Sequence, residues 1–190
     1  MKEIIYRIFL TIDSTFLIVI VYLLKISDRE YKDIMRYICN ESIFNFIGDY
    51  QNLIVILLLI ILIIMTKFLL FCSKFLDEDD IKSIVEIEQV NEVFLPTYLG
   101  YFFVALSIGN IKTLIWLYSI IFIFIFTSSS FYFNPLFIIL RYNFYNIVTK
   151  NGVKIFLITR RKIKNIEKLS FEKVQRINNF TFIELEDKNE

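Results

Sequence analysis

Histidine is absent from the sequence. That removes the side chain most used as a general base near neutral pH, and with it the commonest metal ligand. Glycine is scarce at four residues, and there are only two prolines and two cysteines. No glycine-rich phosphate loop, nucleophile elbow or paired-cysteine metal spacing is present. Cys39 and Cys72 fall on opposite sides of the topology expected below, so no disulfide is expected between them. No secretory signal with a small-residue cleavage site precedes the first apolar segment, which is therefore expected to stay in the mature protein. With no catalytic constellation in view, the chain is expected not to be an enzyme and to carry no cofactor and no metal.

What the chain has in plenty is apolar bulk. Residues of this kind make up 56% of it, above the share in ordinary soluble domains. Phe, Ile, Tyr, Asn and Lys are favoured, a bias that an A·T-rich genome encodes. Residues 53–65 are apolar on every side, and with the stretch to Phe71 they form about twenty residues, enough to cross a hydrocarbon core of about 30 Å. This stretch is read as a transmembrane helix around which the rest is organised. Its one lysine, Lys67, lies near an end and can snorkel to the headgroups.

Four spans are expected, at about 4–24, 52–72, 93–111 and 113–133. The first must bury Asp13, at a cost of about 2.5–3.5 kcal/mol that the rest of the segment offsets. Between the first two lies a polar interlude of mixed charge. There Asp28 is placed to cap a short helix through Tyr37 or Ile38, and the aromatic piece 43–47 is expected at the membrane surface. The third segment carries Pro96 in its first turn, where the missing amide costs little. Its Gly100, Ala105 and Ser107 offer a surface for close helix approach. Residues 110–113 read as a tight turn, and Asn134-Pro135 as the end of the fourth span. Trp116, Tyr118 and Tyr132 sit where aromatic belts form.

From Leu136 the texture changes to β-branched and aromatic runs at 141–148 and 153–159. Asn151-Gly152 between them favours a two-residue hairpin turn with positive φ at both central positions. A third run, 180–185, is placed to return to that hairpin, and 161–176 is expected to be a basic, partly helical connector. The expected architecture is an α-helical integral membrane protein with four transmembrane helices, residues 1–135. It is followed by a small β-hairpin or β-sheet module, residues 136–190, that leans on the helices or on another subunit. The cationic tail places both termini in the cytoplasm by the positive-inside rule, although Lys25, Arg29, Lys32 and Arg36 in the first loop pull the other way.

Three clusters are candidates for function. Asp13, beside Thr11, Ser14 and Thr15, is either a path-lining acid or a buried carboxyl bonded to its neighbours. Arg160, Arg161, Lys162, Lys164 and Lys168 form a basic cluster suited to anionic lipid or to an acidic cytosolic protein. Direct nucleic-acid binding is disfavoured, because the cluster is short and the tail also carries acids. Asp77, Glu78, Asp79 and Asp80 are four consecutive carboxylates. They are either solvated or docked against the basic region, within one chain or between copies. The surrounding connector, 77–92, fits a short helix and a strand about equally.

Several short motifs carry a resemblance. They are Asn134-Pro135-Leu136, the tyrosine-rich Arg141-Tyr142-Asn143-Phe144-Tyr145, Asn151-Gly152, Leu157-Ile158-Thr159-Arg160, and the third-span entry from Val93 to Tyr101. Together with the overall layout, the chain resembles the KwaA family, the membrane subunits of the Kiwa anti-phage system. The resemblance implies a homo-oligomer in the bacterial inner membrane that senses phage infection at the envelope. It further implies recruitment of a cytosolic DNA-binding partner protein. On this basis the chain is expected to be a membrane sensor or scaffold of a defence complex. The alternatives are a small ion channel or pore-like effector and a membrane immunity or accessory protein.

Overall fold

A computed structural model describes residues 2–38, 50–127, 134–163 and 169–185. The aromatic piece at 43–47, Cys39, Tyr132, Lys164 and Lys168 lie outside them. Among the described residues there are six α-helices: α1 Lys2–Lys25, α2 Asp28–Ile38, α3 Gln51–Cys72, α4 Phe94–Ser107, α5 Ile111–Thr127 and α6 Pro135–Ile139. Six strands accompany them: β1 Glu78–Ile81, β2 Ile84–Gln89, β3 Asn143–Thr149, β4 Lys154–Thr159, β5 Phe171–Asn178 and β6 Thr181–Ile183.

The expected four-span architecture is overturned. Among the described residues only two helical segments, Lys2–Lys25 and Gln51–Phe75, are long and apolar enough to cross a membrane. α4 and α5 have 14 and 17 residues. At 1.5 Å per residue they extend about 21 and 26 Å, short of a core of about 30 Å. Backbone competition sets these limits. β2 and a 3₁₀ turn at Asn91–Val93 claim the residues before α4. The helix ends after Ser107, and Asn110 starts the next by accepting the Thr113 N–H at 2.9 Å, a side-chain N-cap for α5. Residues 110–113 are thus a helix start rather than a tight turn. The cap of α2 also differs from expectation. Ser27 Oγ accepts the Glu30 N–H, and Asp28 sits inside the first turn.

The most apolar helix is not the central one. α1 packs against α3, α4 and α5, and half of its most apolar stretch is buried, against 28% for α3. Leu53, Ile56, Leu57, Ile60, Ile61, Ile64, Phe68 and Phe71 are all exposed. Their three-and-four spacing makes one continuous apolar stripe on the outside of the bundle. α1 holds the interior because it carries the polar groups that need partners, as described below.

The sheet is larger than the tail alone would make it. Its order is β1-β5-β6-β4-β3-β2, so the two edge strands both come from the acidic connector, separated only by Lys82 and Ser83. The sheet therefore curls until its first and last strands are consecutive in the chain. Ser83 at the corner has φ of 57°, and register shifts flank it at Asp79/Ile81 and Ile84/Glu86. Bulges of this kind bend a strand from one partner to another. The β3–β4 hairpin closes with a three-residue loop: the Gly152 N–H donates to Thr149 O at 2.8 Å, and Thr149 and Val153 remain bonded. Only Gly152 takes positive φ, at 74°. This is a turn followed by a left-handed residue, not the two-residue turn expected. β6 pairs β4 in parallel and β5 antiparallel.

Both faces of the sheet are apolar. Phe144, Phe156, Ile158, Ile177 and Ile183 join Tyr6, Leu10, Leu69, Leu70 and Phe137 in a core shared with the helices. Tyr145, Ile147, Leu157, Phe171, Val174 and Phe182 face the other way and fill the inside of the curl with Ile81. This explains why β4 reads as an unbroken apolar run rather than an alternation.

α6 ends in a Schellman motif. Tyr142 N–H donates to Phe137 O, Arg141 N–H donates to Ile138 O, and the Phe137 and Tyr142 rings touch at 5.9 Å. Arg141 occupies the left-handed position, with φ of 65°, where glycine carries no Cβ penalty. Arg141→Gly is expected to raise stability by about 0.5–1 kcal/mol. A downward shift of the thermal midpoint in detergent would refute this.

Candidate functional site

A carboxylate removed from water needs donors, and Asp13, 1% exposed, finds them on two other elements. Thr66 Oγ1 on α3 lies 2.8 Å from Asp13 Oδ2 and 2.9 Å from the carbonyl of Leu62. Asn134 Nδ2 donates to the same Oδ2. The amide of Asn134 serves two ends at once, because its Oδ1 accepts the Leu136 N–H at 3.0 Å and caps α6. Pro135 at the first helical position has no N–H to leave unpaired. Asp13 is thereby tied to the short helix that feeds β3. Its second oxygen, Oδ1, has no hydrogen-bond partner among the described residues.

The hydroxyls beside Asp13 on α1 turn to their own helix. Thr11 donates to Arg7 O, Ser14 to Thr11 O, and Thr15 reaches Thr11 O at 2.8 Å, with the Tyr118 hydroxyl of α5 at 3.1 Å. The interior of the bundle thus holds a seam of Thr11, Asp13, Ser14, Thr15, Thr66 and Asn134, all buried. Thr66 and Asn134 were missed as partners of Asp13. The signal for Thr66 was present: apart from Lys67 it is the sole polar residue between 53 and 71.

Further along α1, two ion contacts orient the bundle. Glu3 pairs with Arg176 of β5 at 3.2 Å, so the start of α1 stands against the sheet. Arg7 donates to Phe126 O at 3.1 Å, with its guanidinium 5.4 Å from the Phe126 ring. At the far end, Lys25 donates to Ile108 O and Gln51 to Leu23 O, both at 2.7 Å. α3 returns from that end and runs through Ser73–Phe75 directly towards β1.

The basic cluster is divided. The Arg160 guanidinium lies 4.8 Å from the centre of the Tyr142 ring. Arg161 pairs with the buried Glu184 at 2.9 Å and packs 5.9 Å from the Phe171 ring, while Glu184 also accepts from Thr159 Oγ1. Arg141, Arg160 and Lys162, with Leu140, line a depression of about 420 Å³. The acidic run lies along β5, with Glu78 opposite Gln175 and Asp79 opposite Val174. The Arg176 N–H donates to Asp77 O, and Asp80 pairs with Lys82. The bond to Asp80 holds the Lys82 ammonium above its ordinary range, and the nearby charge of Glu172 adds to it.

These features define a class: a small helical protein with an apolar exterior, a polar seam around one buried acid, and a curled sheet at one end of the bundle. The chain belongs to the KwaA family, whose model, described as "Anti-phage protein KwaA", matches residues 6–183. It is accordingly an anti-phage defence protein. Neither the search of curated proteins nor that of solved structures returned a match.

Proposed function

We propose that this protein is a non-enzymatic membrane sensor and scaffold of a bacterial defence complex. α1 and α3 anchor it in the inner membrane, further copies assemble against its exposed helix faces, and the sheet module holds a soluble, DNA-binding partner in the cytoplasm. The observation that carries this is the inversion of polarity in the bundle. The hydroxyls of Thr11, Ser14, Thr15 and Thr66, the Asn134 amide and the Asp13 carboxylate are buried, while Ile60, Ile64, Phe68, Phe103, Trp116 and Phe124, each more than half exposed, point outward. Monomeric soluble proteins rarely expose contiguous apolar patches above a few hundred Å². Such a surface is stable against lipid or another apolar protein face. The Glu3–Arg176 pair and the direct run from α3 into β1 support a topology with the N-terminus and the sheet on the same side of the bilayer.

The depression lined by Arg141, Arg160 and Lys162 supports an acidic surface on the partner. Asp13, held by two donors, supports a positioning role rather than a conducting one.

Fractionation of cells and pull-down of the detergent-solubilised protein test the proposal together. The protein is expected in the membrane fraction, its partner is expected to co-purify, and Arg160→Glu with Lys162→Glu is expected to lower partner recovery several-fold. Asp13→Asn is expected to leave recovery unchanged. Recovery of the protein from the soluble fraction without detergent would overturn the anchoring, and altered conductance in Asp13→Asn bilayers would support a channel instead.

A further inference from the structure

A groove of about 320 Å³ runs between α1 and α3 at the sheet-side end of the bundle. Ile5 and Phe9 form one wall and Met65, Phe68 and Phe75 the other, with Lys2 at its edge. Ile5, Phe9, Phe68 and Phe75 are between 44% and 65% exposed, so the groove opens outward along its length rather than closing into the core. Its chemistry suits a flexible hydrocarbon chain.

Three lysines border it. Lys2, Lys67 and Lys74 are exposed, and none has an anionic partner among the described residues. Of the acids next to the lining in sequence, Glu3 is engaged by Arg176, and Asp77, beside Leu76, is exposed with its carbonyl accepting the Arg176 N–H. Helical spacing puts Lys67, Phe71 and Lys74 on a strip alongside the groove, and the Lys74 ammonium rests 5.3 Å from the centre of the Phe71 ring. Lysine stems of this kind lie on apolar surface while their charged heads stay outward, free to meet an anion.

We propose that this groove is a binding site for an anionic phospholipid, with one acyl chain lying between α1 and α3 and the phosphate among Lys2, Lys67 and Lys74. The site rests on the membrane anchoring proposed above. A lipid held there touches both α1 and α3, and through Leu69, Leu76 and Tyr6 it adjoins the core shared with the sheet. Its occupancy would therefore be felt where the helices meet the sheet.

Native mass spectrometry of the full-length protein, equilibrated in mild detergent with phosphatidylglycerol or phosphatidylcholine, tests this. The wild type is expected to retain phosphatidylglycerol over phosphatidylcholine by about fivefold or more, the effect of about one membrane-proximal lysine. Lys2→Gln/Lys67→Gln/Lys74→Gln should abolish the preference. Met65→Trp, which fills the groove, should lower phosphatidylglycerol retention with all three lysines intact. Ile5→Trp, at a more exposed position, provides the same test should Met65→Trp not fold. Equal retention of the two lipids by the wild type would overturn the site. So would groove-filled variants that hold phosphatidylglycerol as the wild type does, since the lysines would then only attract the lipid annulus. A protein that stays soluble without detergent would instead defeat the anchoring itself.

Discussion

Asn134→Ala is expected to destabilise the protein by about 3 kcal/mol. Two losses combine. Removing a side-chain N-cap costs about 0.5–2 kcal/mol, here at α6, whose Leu136 N–H is bonded to Asn134 Oδ1. Removing a hydrogen bond to a charged group costs about 1.5–3 kcal/mol, and among the described residues Asp13 Oδ2 would keep only Thr66. Thermal unfolding in detergent measures the total, and a double-mutant cycle with Asp13→Asn separates the parts. Asp13→Asn/Asn134→Ala should be less destabilised than the sum of the single variants by about 1 kcal/mol or more, because neighbours sharing a bond do not add. Strict additivity would mean that Asn134 acts only as a helix cap and that Asp13 is not tied to α6.

Phe144→Ala is expected to cost about 3–5 kcal/mol, the range for deleting a fully buried phenyl ring. Phe144 is wholly buried, stacked 6.3 Å from Phe137 of α6 and 5.8 Å from Phe156 of β4. It thus fills space between helices and sheet. Ile147, on the same strand but inside the curl, belongs to a separate cluster. Hydrogen exchange distinguishes the two. Phe144→Ala should speed exchange in α6, in β3 and β4, and at the sheet-side ends of α1 and α3 together. Ile147→Ala should act on the strands while leaving the helices protected. Identical exchange patterns from the two variants would mean that bundle and sheet open as one unit.

The contrast between these residues shows how far a one-dimensional pattern carries. α1 and α3 begin and end within about two residues of the limits expected from hydropathy, because length and apolarity are local properties of a segment. Among the described residues α4 and α5 fall short because competitors claim their starts: a strand and a 3₁₀ turn before α4, and a capping asparagine before α5. The residues of β1 and β2 fit helix and strand alike in sequence, since their pairing depends on β5 and β3, which lie far along the chain. The partners of Asp13 were hidden for a like reason, standing 53 and 121 residues away. The basic cluster was legible as charge, yet nothing in its spacing revealed that Arg161 turns to Glu184 while Arg160 covers Tyr142.

Of the four long apolar helices expected from sequence, sequence alone located the two that are long enough, the acid that interrupts the first of them, and the β-rich tail. Each follows from side-chain chemistry within about twenty consecutive residues. Tertiary structure alone decided that the less apolar α1 occupies the centre. It also decided that the acidic connector supplies both edges of the sheet, and that Asn134 joins the buried acid to the strands. Burial rewards satisfied polar groups as strictly as it rewards apolar area. The helix carrying Asp13 was therefore drawn inside to its donors, while α3, with little but hydrocarbon to offer, was left to face outward.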